Sequence, residues 1–304
     1  MTNIKFEIKR TGNQDSVLIR KHGSSNWSAR KTYKVKGYER RHAIRVDNIQ
    51  YLFDFEFDTG VNNEIKACVE AGIPVYLAGP AGSGKNHTLE QIAEDLELDF
   101  YFTNSVQQEY KLTGFIDAGG SFHETEFYKA FLRGGLFFLD EMDASIPEVL
   151  VLLNAAIANG YFEFPNGRIE AHEEFRVVAA GNTFGNGADE QYTGRLVLDQ
   201  ATLDRFAVIE FDYDRRIELH ISKNNTDLVD FIRDMREQAK LKGIRATFSY
   251  RCLTMVRKLE NTLQLERIML IAIFKGLDRD TINTFRPSYN GNKYYEALLR
   301  VQQM

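Results

Sequence analysis

The apolar run Ile73 to Ala78 passes without interruption into Gly79-Pro80-Ala81-Gly82-Ser83-Gly84-Lys85, and a helical pattern follows. A short continuous apolar run is what a strand buried on both faces of a parallel sheet requires. The glycines let successive backbone N–H groups turn inward, and the helix start adds its positive end, so the loop is built to hold an anion. Gly79, Pro80, Ala81, Gly82, Ser83, Gly84 and Lys85 fit the first seven positions of the G-x-x-x-x-G-K-[ST] pattern, whose lysine reaches the β and γ phosphates of a nucleotide. Asn86 stands where that pattern has a hydroxyl for Mg²⁺, and an amide oxygen can also ligate this ion. His87 comes next and is expected to pack beside the loop, while Thr88 should point away from the phosphates.

Further apolar runs at Leu98 to Thr103, Leu136 to Asp140, Phe175 to Ala180 and Ala207 to Phe211 alternate for the most part with helical patterns. That alternation predicts a parallel sheet sandwiched by helices, an α/β P-loop fold with right-handed crossovers. Fifty-five residues after Lys85, the strand Leu136-Phe137-Phe138-Leu139 ends in Asp140-Glu141-Met142-Asp143, a Walker B pattern. Asp140 is the candidate Mg²⁺ residue, acting through the ion's water shell, and Glu141 the group that orients and deprotonates an attacking water. Forty-two residues beyond Asp140, the strand Val177 to Ala180 ends in Gly181-Asn182-Thr183, and Asn182 is placed to hydrogen-bond that water and the γ-phosphate. The cofactors read from these elements are ATP and Mg²⁺.

The chain divides into three stretches by composition. Residues 1–58 hold short alternating segments broken by Gly12, Gly23 and Gly37, which predict a small β-rich module, and residues 1–46 carry twelve Lys/Arg against three acids. Residues 59–213 form the α/β nucleotide-binding domain, opened by a helix over Asp58 to Gly72. Residues 214–304 show no convincing strand and read as an all-helical lid, with helices near Asp227 to Lys242, Tyr250 to Leu265 and Ile268 to Leu277. A hairpin is expected between Tyr161 and Glu170, turning at Asn166-Gly167 and projecting from the sheet. With 43% hydrophobic and 27% charged residues, disorder and coiled-coil rods are excluded. No apolar run approaches bilayer length, which argues against a membrane segment. Six scattered histidines and two cysteines, Cys68 and Cys252, point to neither a zinc site nor a disulfide framework, and a reducing cytoplasm is the expected location.

Taken together, these motifs resemble those of an AAA+ ATPase, and within that superfamily the MoxR and cobaltochelatase small-subunit group with dynein-related ATPase domains. The resemblance covers roughly residues 60–260 and includes Gly187-Ala188-Asp189, Tyr192-Thr193-Gly194-Arg195 and Ala201-Thr202-Leu203-Asp204-Arg205-Phe206. It implies that Arg205 is the finger one subunit inserts into its neighbour's site, where a fixed cation stabilises charge on the transferred phosphoryl group. Arg195 is a second candidate for that role, and a plainer reading pairs Arg205 with Asp199 or Asp204. It further implies that Arg251, opening a lid helix, is a sensor that reaches the γ-phosphate. The insertion from Asn104 to Gly120 and the hairpin near Asn166 would face a central pore or a client, with Lys111, Phe115 and Arg168 as contacts, or would merely pack between subunits.

The expected function is therefore ATP hydrolysis by a homo-oligomeric ring, a hexamer by resemblance, that remodels or activates a protein partner. The resemblance also implies a separate von Willebrand factor A protein as partner. Two other functions fit the same residues. The basic N-terminal region, with Trp27, Tyr33 and Tyr38 among its cations, would suit a nucleic-acid motor or DNA-processing ATPase. Asn86 would suit a nucleotide-gated scaffold with weak hydrolysis.

Overall fold

The computed structural model describes residues 60–189, 191–287 and 291–304, together with six strands within residues 1–58. Met1–Asp58 and Thr59–Met304 form two compact units. The first holds two antiparallel sheets of three strands. One is ordered β1 (Phe6–Arg10), β2 (Ser16–Lys21), β3 (Ser28–Lys31), the other β4 (Tyr33–Lys34), β5 (Arg41–Val46), β6 (Ile49–Asp54). Trp27 and Tyr38, named above for nucleic-acid stacking, lie outside the described residues, as does the side chain of Tyr33.

The second unit opens with α1 (Gly60–Glu70), β7 (Val75–Ala78), α2 (Lys85–Asp95) and β8 (Phe100–Thr103). The short helix α3 (Tyr110–Thr113) and the hairpin β9 (Phe115–Ile116) and β10 (Phe122–His123) follow. Next come α4 (Glu126–Arg133), β11 (Gly135–Leu139), α5 (Pro147–Asn159) and the hairpin β12 (Tyr161–Phe164) and β13 (Gly167–Glu170). The domain closes with β14 (Phe175–Gly181), α6 (Gln200–Leu203) and β15 (Ala207–Glu210). Its five-stranded sheet is parallel and ordered β15-β7-β14-β11-β8, so the strand ending in Gly181 lies between the phosphate-loop strand and the acidic strand. Register brings Ala78 opposite Gly181 and Leu139 opposite Ala179, which puts Gly79, Asn182 and Asp140 at one carboxyl edge.

Both faces of this sheet are covered, which is why its strands read as unbroken apolar runs. Along β11, Leu136 and Phe138 join the cluster of Ile65, Val69, Leu89 and Ile92 on α1 and α2. Phe137 and Leu139 point the other way, toward Phe127 and Phe131 of α4 and Leu150 and Leu153 of α5. The β12–β13 hairpin differs from expectation on two counts. Its turn is Pro165-Asn166, because Phe164 pairs with Gly167. It also does not project freely: Phe162 and Phe164 are buried in the same aromatic cluster as Phe127, and Asn166 Nδ2 donates to Tyr128 Oη at 2.8 Å.

The remaining residues are helical: α7 (Arg215–Ile221), α8 (Thr226–Leu241), α9 (Tyr250–Leu259), α10 (Leu265–Ile268), a π-helical turn (Met269–Ile273), α11 (Arg279–Thr284) and α12 (Lys293–Gln303). They bury a separate cluster that includes Phe231, Phe248, Phe274, Phe285 and Tyr294. The helix expected over Tyr250 to Leu265 stops at Leu259, where Asn261 and Thr262, poor helix formers, begin a turn. Among the described residues no helix is long and apolar enough to cross a membrane.

Phe127 lies at the centre of the aromatic cluster between the sheet and α4, its ring centroid 5.2 Å from Phe137 and 5.7 Å from Phe131. Truncation to Ala removes a fully buried ring where several neighbours cannot collapse together. Phe127→Ala should lose about 3–5 kcal/mol of stability in urea unfolding; a loss below about 1 kcal/mol would mean the sheet does not depend on this cluster.

Candidate functional site

The phosphate loop is held by close contacts that only glycine permits. A Cβ on Gly79 would lie 2.0 Å from the carbonyl oxygen of Phe211, just past β15. Gly82 and Gly84 take φ of +72° and +98°, in the left-handed region that favours glycine. Gly84 is the N-cap of α2 with no side-chain cap, so the first N–H groups of the helix depend on an acceptor from elsewhere. Ser83 Oγ is likewise buried without a hydrogen-bond partner. Lys85 is buried, and its Nζ donates to the Gly79 and Pro80 carbonyls at 2.7 and 3.1 Å. Burial lowers its pKa from 10.5 to about 8, against the opposing pull of Asp140, Asp143 and Glu141. A cradle of glycines, an orphaned hydroxyl and a buried ammonium fit a polyphosphate.

Asn86 and His87 are exposed on α2, and His87 Nδ1 lies 4.0 Å from Glu90 Oε2. His87 thus lies beside the loop's helix with Glu90 near, one turn on.

Across the same edge, Asp140 Oδ1 accepts from the Glu141 amide at 2.9 Å. Glu141 takes φ of +52°, a left-handed conformation that a side chain rarely adopts. Asp143 was part of the acidic run but had no assigned role in the sequence. It is fully buried, and its Oδ2 accepts from the amides of Asn182 and Thr183 at 2.9 and 3.0 Å and from the Thr183 hydroxyl at 2.9 Å. Gly181 makes this possible, since a Cβ there would lie 2.0 Å from Tyr76 Oη and 2.9 Å from Asp143 Cγ. Asp143 therefore ties the acidic strand to the strand end that presents Asn182.

The two arginines offered for a neighbour's site behave differently. Arg205 is exposed and donates to the Ala201 carbonyl, one turn back; it makes no ion pair with Asp199 or Asp204. Arg195, the second finger candidate, is turned toward carboxylates of its own chain. Its Nη2 donates to Glu141 Oε1 at 3.0 Å, and its Nη1 lies 3.5 Å from Asp143 Oδ1. The physical reason is that two carboxylates, one wholly buried, need a cation, and Arg195 supplies it.

From the lid, Ser249 and Arg251 overlie the loop: a Cβ on Gly82 would be 2.9 Å from Ser249 Cβ and 3.6 Å from Arg251 Cζ. Three tyrosines complete the enclosure. Tyr213 Oη donates to the Ala81 carbonyl at 2.7 Å, and the Ala81 amide donates to Tyr192 Oη at 3.0 Å. The Asp214 amide donates to Tyr250 Oη at 2.7 Å. Burial raises the pKa of all three, so each phenol stays neutral and can donate. Tyr192 falls in the stretch that carries the resemblance, but nothing in the sequence gives any of the three this role. Beside Tyr213 a cavity of about 370 Å³ is lined by Val61, Phe211, Asp212, Asp214 and Ile217. Lys111, Phe115 and Arg168 are exposed; Phe115 stacks on His123 at 4.7 Å, and Arg168 covers the Tyr161 ring and pairs with Glu170.

A P-loop sheet with this strand order, these acids and a helical lid defines a nucleotide-binding AAA+ architecture. Residues 74–206 match the AAA domain of the dynein-related subfamily, and the chain belongs to that family. It is 28% identical over 240 residues to an uncharacterized protein of Staphylococcus epidermidis, covering 68% of this chain and 88% of that protein. It is 31% identical over 202 residues to an uncharacterized protein of Staphylococcus aureus, covering 61% of this chain and 68% of the relative. Among solved structures it resembles NtrX from Brucella abortus in complex with ADP, with a TM-score of 0.44 and 16% identity, over 80% of this chain and 58% of that one.

The Lys85 ammonium gives a test of the site's electrostatics. Between pH 8 and 10.5 the unfolded chain holds the Lys85 proton that the folded chain has released, so stability linked to this residue rises with pH across that window. Thermal unfolding of parent and Lys85→Met should therefore show a gap that is constant below about pH 7 and moves in the parent's favour as pH rises from 8 to 10.5. A gap independent of pH would remove the buried charge from this account.

Proposed function

We propose that this chain binds ATP with Mg²⁺ and hydrolyses the terminal phosphoanhydride bond as a subunit of a ring, in a MoxR-like role that remodels or activates a protein partner. The observation that carries the reading is the convergence of Lys85, Asp140, Glu141 and Asn182 on one edge of the sheet, under a lid that brings Arg251 to the loop.

In this reading the N–H groups at the start of α2 and the Lys85 ammonium bind the β and γ phosphates, with Lys85 exchanging its bonds to Gly79 and Pro80 for phosphate oxygens. The adenine enters the cavity beside Tyr213, whose walls are partly apolar. Asp140 and Asn86 offer the oxygens that would hold Mg²⁺, which when bound neutralises charge between the β and γ phosphates. Glu141 orients the attacking water and accepts its proton, and Asn182 hydrogen-bonds that water and the γ-phosphate. Arg251 reports the γ-phosphate to the lid. Arg205, exposed and free of a carboxylate, is disposed to enter an adjacent subunit's site, which supports assembly into a ring. The exposed Phe115 and Lys111 on the α3–β9 insertion are offered as client contacts.

Removing the base separates binding from turnover. Glu141→Gln should keep nucleotide affinity and lose about 10²–10⁴-fold in turnover. Arg205→Ala should also be inactive alone, and mixing the two proteins should restore part of the Mg²⁺-dependent activity, because some sites then combine an intact Glu141 with a neighbour's Arg205. No recovery at ring-forming concentrations would refute the shared site, and no affinity of the parent for adenine nucleotides would refute the whole reading.

A further inference from the structure

We infer that Arg195 is a positioning residue that acts within its own subunit: with Asp143 it fixes Glu141 and Asn182 relative to each other. The inference rests on the ATPase reading for its catalytic consequence, but its structural content stands on contacts within the nucleotide-free chain.

Four observations converge on Arg195. Its side chain is only 12% exposed and sits between two carboxylates, Glu141 Oε1 at 3.0 Å and Asp143 Oδ1 at 3.5 Å. Asp143 Oδ1 is buried and has no hydrogen-bond partner, so the Arg195 charge is what offsets that end of the carboxylate. Lys85, the other cation near these acids, has its ammonium bonded to the Gly79 and Pro80 carbonyls. The opposite oxygen of Asp143 accepts the Asn182 and Thr183 amides and the Thr183 hydroxyl. A single guanidinium therefore links the general-base candidate to the strand end that presents Asn182, through one buried acid.

The backbone around Arg195 keeps it there. Leu196 N donates to the Asp143 carbonyl at 2.7 Å and Leu198 N to the Gly185 carbonyl at 2.9 Å. On the other side, Tyr192 holds the Ala81 amide and Gln191 Nε2 donates to the Ala246 carbonyl of the lid at 2.8 Å. The segment is pinned to the acidic strand, the phosphate loop and the lid. An arginine on such a segment points inward, unlike Arg205. A fork with two donors suits this place, since one nitrogen serves each carboxylate; a lysine supplies charge but one point of contact.

The effect on chemistry follows from geometry. Glu141 holds a left-handed backbone and a 39% exposed carboxylate, so Arg195 is the contact that limits where that carboxylate points. Loss of the guanidinium leaves Glu141 free to rotate and Asp143 Oδ1 buried without the cation that faces it, which loosens the hold of Asp143 on Asn182 and Thr183.

Two measurements on the full chain test this. The first is amide hydrogen exchange without nucleotide for the parent, Arg195→Ala and Arg195→Lys. Exchange at Asn182 and Thr183 should quicken by about tenfold or more in the Ala variant and by less in the Lys variant, while α8 and α12 stay unchanged. Should Arg195→Ala not fold, Arg195→Lys carries the measurement; unaltered exchange at both amides in a folded variant overturns the inference.

The second is steady-state turnover of Mg²⁺–ATP, with affinity for the β,γ-imido analogue of ATP. Arg195→Ala should lose about a hundredfold in kcat, Arg195→Lys less, with KM and analogue affinity within about twofold of the parent. Mixing Arg195→Ala with Glu141→Gln protein should give no rescue, because Arg195 and Glu141 must belong to one chain. Rescue on mixing would make Arg195 a neighbour's residue, and lost affinity with kcat kept would make it a binding residue; either overturns the inference. A parent without turnover would refute the ATPase reading instead, and the exchange result would still decide the role of Arg195.

Discussion

The carboxylate of Asp143 is the point on which the site's geometry depends. It is wholly buried, accepts three hydrogen bonds from Asn182 and Thr183, and faces the Arg195 guanidinium. A buried charge so placed is stabilising only while all its partners stay in position, because removing any one leaves an uncompensated oxygen in a low-dielectric interior. It therefore fixes the distance between the ends of β11 and β14, and Gly181 lets the acid approach that closely. Since β14 lies between β7 and β11, the same link fixes the acidic strand relative to the phosphate loop.

On the opposite side the loop is tied to the lid through aromatic hydroxyls. Tyr213 bonds the Ala81 carbonyl, stacks edgewise on Tyr250 at 5.2 Å and lies under Arg236, whose Cζ is 3.8 Å from the ring centre. Arg236 in turn pairs with Glu218, a buried acid that Arg233 also holds. A change at Ala81 thus meets α7 and α8 through two contacts, each directional. Packed and hydrogen-bonded groups join the phosphate loop to the helical lid without a break.

These connections also explain where unusual backbone is tolerated. Glu141 keeps its φ of +52° beside an amide bonded to Asp140 and a carboxylate bonded to Arg195, so surrounding contacts hold a conformation that costs energy in isolation. Gly79, Gly82 and Gly181 occupy places where a methyl group would strike a carbonyl, the Ser249 side chain or a phenol. The strain and the close approaches gather where phosphate, water and lid would meet.

The order of strands and helices, the phosphate loop, the acidic pair and the helical lid are legible in the chain because they arise from local rules. An apolar run with no polar alternation marks a strand covered on both faces, and Gly79 to Lys85 encodes its own turn. Helices α7 and α11 are too short and charged for periodicity to reveal, and the β12–β13 hairpin shows an alternation that says nothing of which face Phe127 will cover. What the side chains of Asp143, Tyr192, Tyr213 and Arg195 do could not be read from spacing, since their hydrogen-bond partners lie from 39 to 132 residues away. Local sequence fixes which backbone conformations are low in energy; only folding brings distant charges and hydroxyls within 3 Å or so, where burial makes each pairing obligatory.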